Sequence, residues 1–384
     1  MNRFAPTSLL IGNFVTGLSV MGPAGMLGEL SDGLAVSVRD ASLLITFGAA
    51  VLCIGSPLTA WLTSRFDRRI LLTATLVIVG LAHVASALAP NYYSLLALRH
   101  IMLAVVALFT PQAAGAAALM APPSHRGSTM SFVFLGWSLS AAFGLPLVTY
   151  FASHFGWRSV FALSATAAFI AAILTAWRLP RGLFGAPVEL RTWRELFRNP
   201  LIVTLLVITI MQTSGPFVIF TFIGPVMTKL MNSSAETIAS VFFVWGITGL
   251  IGNIFASRVV DSWGGWKTSL TCTILLLAGV TGWALGSGVL VAMLAATVFW
   301  GLGFVPSNSM QQVRLAAAAP AAASASVSLN TSALYIGQAI GSGIGGMFYV
   351  RDMIGAMNIA AIAFVVAAIA LVMVTRPRAA LQPG

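Results

Sequence analysis

Three ionisable side chains stand where they could carry a proton. Glu29 and Asp32 lie three residues apart, just past the first uncharged stretch of the chain. If a helix runs through them they share a face, and two carboxyls in a partly dry place titrate as a coupled pair. A hydrated cap at a helix end is the plainer reading of the same residues. His83 lies inside an apolar stretch, and with an unperturbed pKa of about 6.5 it is the other candidate carrier. A neutral imidazole, hydrogen-bonded within the fold, is the alternative there. No Asp or Glu falls in the middle of an apolar stretch.

Other chemistries find no support. Cys53 and Cys272 are far apart and both sit in apolar segments, which suits neither a disulfide framework nor a metal cluster. There is no Walker loop, no His-Glu-x-x-His and no Gly-x-Ser-x-Gly, so neither a primary pump nor an intramembrane hydrolase is indicated and no enzyme activity, metal or cofactor is expected. Gly341-Ser-Gly343-Ile-Gly345-Gly346 matches a dinucleotide fingerprint, but no strand precedes it. Inside an apolar segment such glycines read as close helix packing.

The elements that must position these residues follow from charge spacing. Asp, Glu, Lys and Arg are so sparse that they leave eleven uncharged stretches of 19 to 46 residues. About 20 helical residues cross a bilayer core, so each stretch can hold a span. The longest, between Lys267 and Arg314, carries Gly286-Ser287-Gly288 near its middle and reads as two spans joined by a tight hairpin. The expectation is twelve spans, near 7–27, 41–63, 70–89, 94–119, 130–152, 158–177, 200–227, 237–257, 267–285, 289–311, 327–349 and 354–375. With 58% hydrophobic and 8% charged residues and a mean hydropathy of +0.95, the chain is an integral membrane protein. Segments such as 71–88 are apolar all round, which fits helices and not the alternating strands of a barrel.

The net charge of +11 follows topology and not nucleic acid. With both termini cytoplasmic, only Arg39, Arg99, Arg158, Lys229 and Arg351 of the 20 basic residues fall outside, as the positive-inside rule requires. Arg99 and His100 then anchor the outer end of the fourth span, where snorkelling alone would explain an arginine. The polar interval from Arg178 to Asn199 divides the chain into six spans plus six: a half at 1–178, a cytoplasmic linker at 179–199 and a half at 200–384. Asn199-Pro200 supplies a cap and a first-turn proline for the seventh span, and Ser233 with Glu236 suggests a capping box for the eighth. The loops after the second and eighth spans, Arg65-Phe-Asp67-Arg68-Arg69 and Arg258-Val-Val-Asp261, place like residues at like positions. That pattern suggests internal duplication, common in transporters that bind substrate between repeats.

At these residues the chain resembles the major facilitator superfamily, in particular its twelve-span drug:proton antiporter and sugar-efflux (arabinose efflux permease-like) branch. Against the loop signature Gly-x-Leu-Ala-Asp-Arg-x-Gly-Arg-Arg/Lys it keeps Leu62, Arg65, Arg68 and Arg69, with Ala60, Ser64 and Asp67 replacing Gly, Asp and Gly. Gly136-Trp-Ser-Leu-Ser-Ala-Ala-Phe-Gly144-Leu-Pro146 resembles the antiporter motif of the fifth span, and Gly156-Trp157-Arg158-Ser-Val-Phe161 a run common after it. Arg99 resembles the arginine that opens the fourth span. Gly337, Gly341, Gly345 and Gly346 resemble the eleventh span of the efflux branch.

The resemblance implies an all-α membrane fold of twelve helices in two pseudo-symmetric six-helix halves. It implies that Arg65, Asp67, Arg68, Arg69, Arg99, Gly144, Pro146, Arg258 and Asp261 serve gating. Its substrate cavity maps onto Asn13, Gln112, Trp137, Gln212, Thr213, Trp245, Trp300, Asn308, Tyr335 and Gln338. Amides and indoles suit neutral polar or amphiphilic solutes, although each residue could equally make an interhelical bond or belong to an interfacial belt. The implied function is a monomeric inner-membrane transporter, with a small-molecule substrate, protons and the lipid bilayer as partners. It would export a drug-like or amphiphilic solute by proton antiport. A sugar or nucleoside exporter, an uncoupled facilitator and a non-transporting receptor or structural protein stand beside that reading.

Overall fold

The computed structural model describes residues 5–63, 65–122, 126–184 and 190–376, and no strand occurs among them. Ser64 of the signature loop, Arg3 and Arg378 lie outside the described residues. The first half comprises α1 (Ala5–Gly25), α2 (Leu27–Gly33), α3 (Val38–Leu62), α4 (Arg68–Ala87), α5 (Tyr92–Met120), α6 (Arg126–Leu139), α7 (Leu145–Phe155) and α8 (Trp157–Arg178). α9 (Leu190–Arg198) belongs to the linker. The second half comprises α10 (Pro200–Phe220), α11 (Ile223–Met231), α12 (Ala235–Leu285), α13 (Leu290–Ala318), α14 (Ala323–Val350) and α15 (Ile354–Val374). Ten helices are long and apolar enough to cross a membrane. One of them, the 51-residue α12, breaks at Gly264, where φ is +78°, and so crosses twice. The 28-residue α14 completes the twelve crossings.

Short polar side chains start these helices. Asp67 accepts from the N–H groups of Arg69 and Ile70, and Asn91 forms a capping box with Ser94. Asn199 accepts from Leu201 and Ile202, with Pro200 in the first turn. The cap of α12 differs from expectation by one residue. Ser234, not Ser233, accepts from the Thr237 N–H at 3.4 Å, while Glu236 reaches His154. A slip of one residue costs nothing here because consecutive serines offer the same hydroxyl.

Two breaks repeat between the halves. α1 contains Pro23 and stops at Gly25, followed by the short extension α2; α10 contains Pro216 and stops at Phe220, followed by α11. α2 and α11 pack against each other at the end of the molecule away from the linker, called the far end below. The core is organised along the same axis. At the far end one apolar cluster joins both halves, with Leu30, Leu145 and Trp157 of the first and Phe220, Trp245 and Val365 of the second. Toward the linker end the core divides. One cluster draws mainly on the first half, with Leu179 of the linker and Tyr335 of α14; a second joins the linker and second half, and a small third lies in the second half alone. The halves are thus welded at one end and separately packed at the other.

Candidate functional site at the interface between the halves

One close approach of the halves is a backbone contact. α6 passes into α7 through a π-turn at Ser140–Gly144, in which the Leu145 N–H donates to the Ser140 carbonyl. Pro146 has no N–H for the Ala142 carbonyl, so the regular ladder cannot run through this point. The bulge presents Ala141 and Ala142 to Gly246 of α12, and a side-chain carbon at Gly246 would overlap the Ala142 backbone and stand 2.6 Å from the Ala141 carbonyl carbon. Gly144 and Pro146 therefore frame the surface on which the second half rests. Phe143 meets Phe243 edge-on at 5.9 Å, and His154 pairs with Glu236 at 3.6 Å nearer the far end. Both partners of that pair are exposed, so it holds the halves weakly.

The second inter-half seam runs along α3 and α14. Thr46 donates to Ser342 at 2.9 Å, and Ser332 donates to the Cys53 carbonyl at 3.0 Å. The latter bond has a sequence cause. Pro57 lies four residues after Cys53 in α3 and cannot bond its carbonyl, so the other half supplies the donor. On another side of α14, Gly337, Gly341 and Gly345 sit directly on the α10 backbone.

The polar candidates fall into three groups. In the first half, Asn13 donates to the Val133 carbonyl at 3.0 Å and accepts from Thr110 at 2.8 Å, and Thr110 accepts from the Trp137 indole at 3.0 Å. Asn13 and Trp137 are thereby brought together, joining α1, α5 and α6. Gln112 lies apart, donating to Thr63 at the linker end. In the second half Gln212 donates to Thr273 at 2.6 Å and accepts from Gln311 at 3.3 Å. Gln311 also bonds Ser269, and Arg314 donates to Gln311 and Thr375. Thr209, Asn330 and Asn308 form a further chain across α10, α14 and α13, with bonds of 2.6 and 2.7 Å. Trp245 and Trp300 are enclosed in an aromatic cluster with Phe220, and neither indole N–H has a partner among the described residues. Thr213 is buried under Gly337.

Tyr335 and Gln338, like the two indoles, are not engaged by neighbours. They lie one turn apart on α14, both nearly buried, and neither side chain has a hydrogen-bond partner among the described residues. Tyr335 belongs to the second half, yet it packs into the first half's cluster. Sequence reasoning missed Thr110, Thr209, Ser269, Thr273, Gln311, Arg314, Asn330 and Ser332. Gln311 and Arg314 stand one turn apart in an apolar helix, the one pattern that could have flagged them.

Arg99 does not snorkel. It is 2% exposed and donates to the carbonyls of Leu44 at 2.6 Å, Ser19 at 2.9 Å and Val20 at 2.9 Å, tying α5 to α3 and α1. His83 is buried beside it. Its Nε2 lies 2.8 Å from the Ser19 hydroxyl, whose proton is directed at the Val15 carbonyl. Nε2 shares this hydroxyl, and Nδ1 has no partner among the described residues. His100 bonds the Leu96 carbonyl in its own helix.

Glu29 and Asp32 do share a helix, α2, but in unlike settings: Asp32 is exposed and Glu29 half-buried. Burial holds the Glu29 carboxyl above the usual carboxylate range; Asp32 adds to this, and Glu29's own backbone N–H opposes it.

At the linker end the first-half loop is engaged by the start of the linker and by its own half. Asp67 accepts from the Gly182 N–H at 2.5 Å, the Arg68 N–H donates to the Leu183 carbonyl at 2.9 Å, and Arg68 donates to the Thr63 carbonyl at 3.2 Å. These bonds clamp the start of the linker. Arg65, Arg258 and Asp261 are exposed, and Arg69 is half-buried.

Comparison with known proteins agrees with this architecture. The family model described as Major Facilitator Superfamily matches residues 9–341. An uncharacterized MFS-type transporter, YbcL of Bacillus subtilis (strain 168), is 27% identical over 383 residues, covering 97% of each chain. A probable sugar efflux transporter of Mannheimia succiniciproducens is 26% identical, covering 94% of this chain and 90% of that one. Among solved structures, that of a D-xylose-proton symporter superposes with a TM-score of 0.76 at 19% identity, covering 97% of both chains. Twelve crossings in two halves, a broken α1 and α10 in matching positions and a family match over most of its length make this chain a membrane transporter of the major facilitator superfamily.

Proposed function

We propose that the chain exports a small neutral or amphiphilic organic solute from a bacterial-type cytoplasm by proton antiport, acting as a monomer with both termini inside. The residues 1–178 and 200–384 rock against each other about the linker 179–199. The observation that carries this reading is the pair Tyr335 and Gln338. They sit where α14 meets the first half, with a hydroxyl and an amide that no described residue engages. A solute lodged there would give this hydroxyl and amide hydrogen-bond partners. Trp137, whose indole is held by Thr110, offers a fixed apolar face in the same cluster. The core that is shared at the far end and divided at the linker end supports alternating access, with the linker end parting first. A sugar is the second reading, favoured by the amide and hydroxyl donors and by the relative named as a probable sugar efflux transporter.

The test uses inside-out vesicles made acidic inside, with a pH-sensitive dye reporting proton efflux as pooled sugars, nucleosides and cationic drugs are added. Dequenching that depends on the protein is expected from one pool, and Gln338→Ala should lower it about tenfold, the equivalent of about 1.4 kcal/mol. No response from any pool with folded protein would sink proton antiport. An unchanged response in Gln338→Ala would remove this residue from the site.

Glu29 is the proton carrier favoured by its setting. With the far end closed, burial favours the protonated carboxyl; with that end open, water favours the carboxylate. Acidification through the raised pKa should therefore favour closure, and rising pH should favour opening. Spin labels on Ser153→Cys and Ser240→Cys, exposed on opposite halves at the far end, would read this after Cys53 and Cys272 are replaced by Ala. Glu29→Gln should hold the short distance at every pH. A pH response that survives Glu29→Gln would transfer the role to His83 or Asp32.

A further inference from the structure

A cavity of about 290 Å³ lies at the far end between the halves. Its wall includes Glu29 of α2 and Thr149 of α7 from the first half, and Thr228 and Lys229 of α11, Ile238 of α12 and Tyr349 of α14 from the second. The volume suits a single small molecule.

The charges around it are unequal in their partners. Lys229 is matched by Asp352, its ammonium 2.5 Å from the carboxylate and 6.0 Å from the Tyr349 ring. Tyr349 is itself stacked on Phe222 at 5.4 Å. Glu29 has no ion-pair partner among the described residues, its carboxyl being met only by its own backbone N–H, and Asp32, on the same helix, adds negative charge. Of the neighbouring helix starts, Asp40 is bonded by Ser37, Glu236 faces His154, and the Arg39 stem lies against the surface of Gly346. The cavity thus carries one unmatched acid in a largely apolar wall.

We propose that this cavity binds a small primary ammonium with an apolar body, the ammonium on Glu29 and the body between Ile238 and Tyr349. Because both halves wall the ligand, its occupancy holds the far end closed. The site is separate from the Tyr335 and Gln338 pair and needs no gradient to fill. The one lysine of this wall is committed to Asp352, so a carboxylate at Glu29 is costly, and an ammonium there supplies the missing charge-assisted bond. Protons and ammonium compete for the same oxygens, so binding should strengthen as pH rises through the raised range of Glu29.

The probe is phenethylammonium, with 2-phenylethanol as its neutral analogue, in equilibrium dialysis against the full chain in phosphatidylcholine nanodiscs, which contain no lipid primary amine. Saturable binding of one ammonium per chain is expected, at least tenfold tighter than the alcohol. Glu29→Gln should erase that preference and leave the alcohol unaffected, and Ile238→Trp should fill the cavity and abolish binding of both. Bound ammonium should also narrow the label distances between positions 153 and 240 to the short value. Equal affinity for amine and alcohol, an ammonium affinity unchanged in Glu29→Gln, or binding that persists in Ile238→Trp would each overturn the proposal. The export reading is judged by vesicle transport and falls or stands separately.

Discussion

Gly246→Leu will abolish tight closure of the far end and with it most transport. At this position the α12 backbone rests on the Ala141–Ala142 peptide of the π-turn, and even one added carbon would overlap main-chain atoms of the other half. Main chain cannot rotate away as a flexible side chain can, so the helices must separate. Overpacking of this kind costs about 1–3 kcal/mol, and the cost falls only on the state in which the halves touch. The population of that state should drop about 5- to 150-fold relative to the open one. The label distance between positions 153 and 240 should lengthen, and substrate-driven proton release in vesicles should fall by a similar factor. Gly115→Ala is the control, since a carbon added there meets nothing within 4 Å. If Gly246→Leu transports at the wild-type rate with an unchanged distance, the halves do not close on this contact.

Much of this frame is legible in the chain itself. Charge spacing places all twelve crossings, because a charge in hydrocarbon is too costly to sit at random. The hairpin at Gly286–Gly288 is where expected, with Gly288 at a φ of +89°. The site is less legible, for a physical reason. A buried amide looks the same in sequence whether it bonds another helix or waits for a solute. Asn13, Gln212 and Asn308 are engaged by neighbours, while Gln338 has none among the described residues. Only the packing of twelve helices decides between those outcomes. The gating loop shows the same limit: Asp67 reads as a charge available to latch the halves, but the cap of α4 and the Gly182 N–H occupy both its oxygens.

Proline positions are a partial exception, because each names in advance the carbonyl it leaves without a helical donor. Pro57 identifies Cys53, whose carbonyl takes its bond from Ser332 across the interface. Pro23 identifies Ser19, whose carbonyl takes its bond from Arg99. What the sequence withholds is the partner, which lies 279 residues away in one case and 80 in the other.

That relation makes Arg99 the second site of large effect. Its guanidinium spreads over carbonyls on two helices, with Gly48 leaving room beside it, its nearest approach to the guanidinium nitrogens being 3.7 Å from a Cβ built there. A lysine ammonium is a single point and cannot span both α1 and α3, so Arg99→Lys is not conservative here. Arg99→Met removes the buried charge, which is a gain, but orphans the Ser19 carbonyl, at a cost of about 1–3 kcal/mol, and unties α5 from its neighbours. The expected outcome is a lower unfolding temperature of the purified protein, together with loss of transport as α1 and α5 drift apart. Pro23→Ala provides the decisive comparison, because it restores an N–H to Ser19 from within α1. If Arg99 acts by satisfying that carbonyl, Pro23→Ala should recover about 1 kcal/mol in the Arg99→Met background and much less alone, a coupling that a double-mutant cycle isolates. Strict additivity of the two changes would mean that Arg99 serves through its charge, and that the proline in α1 is unrelated to it.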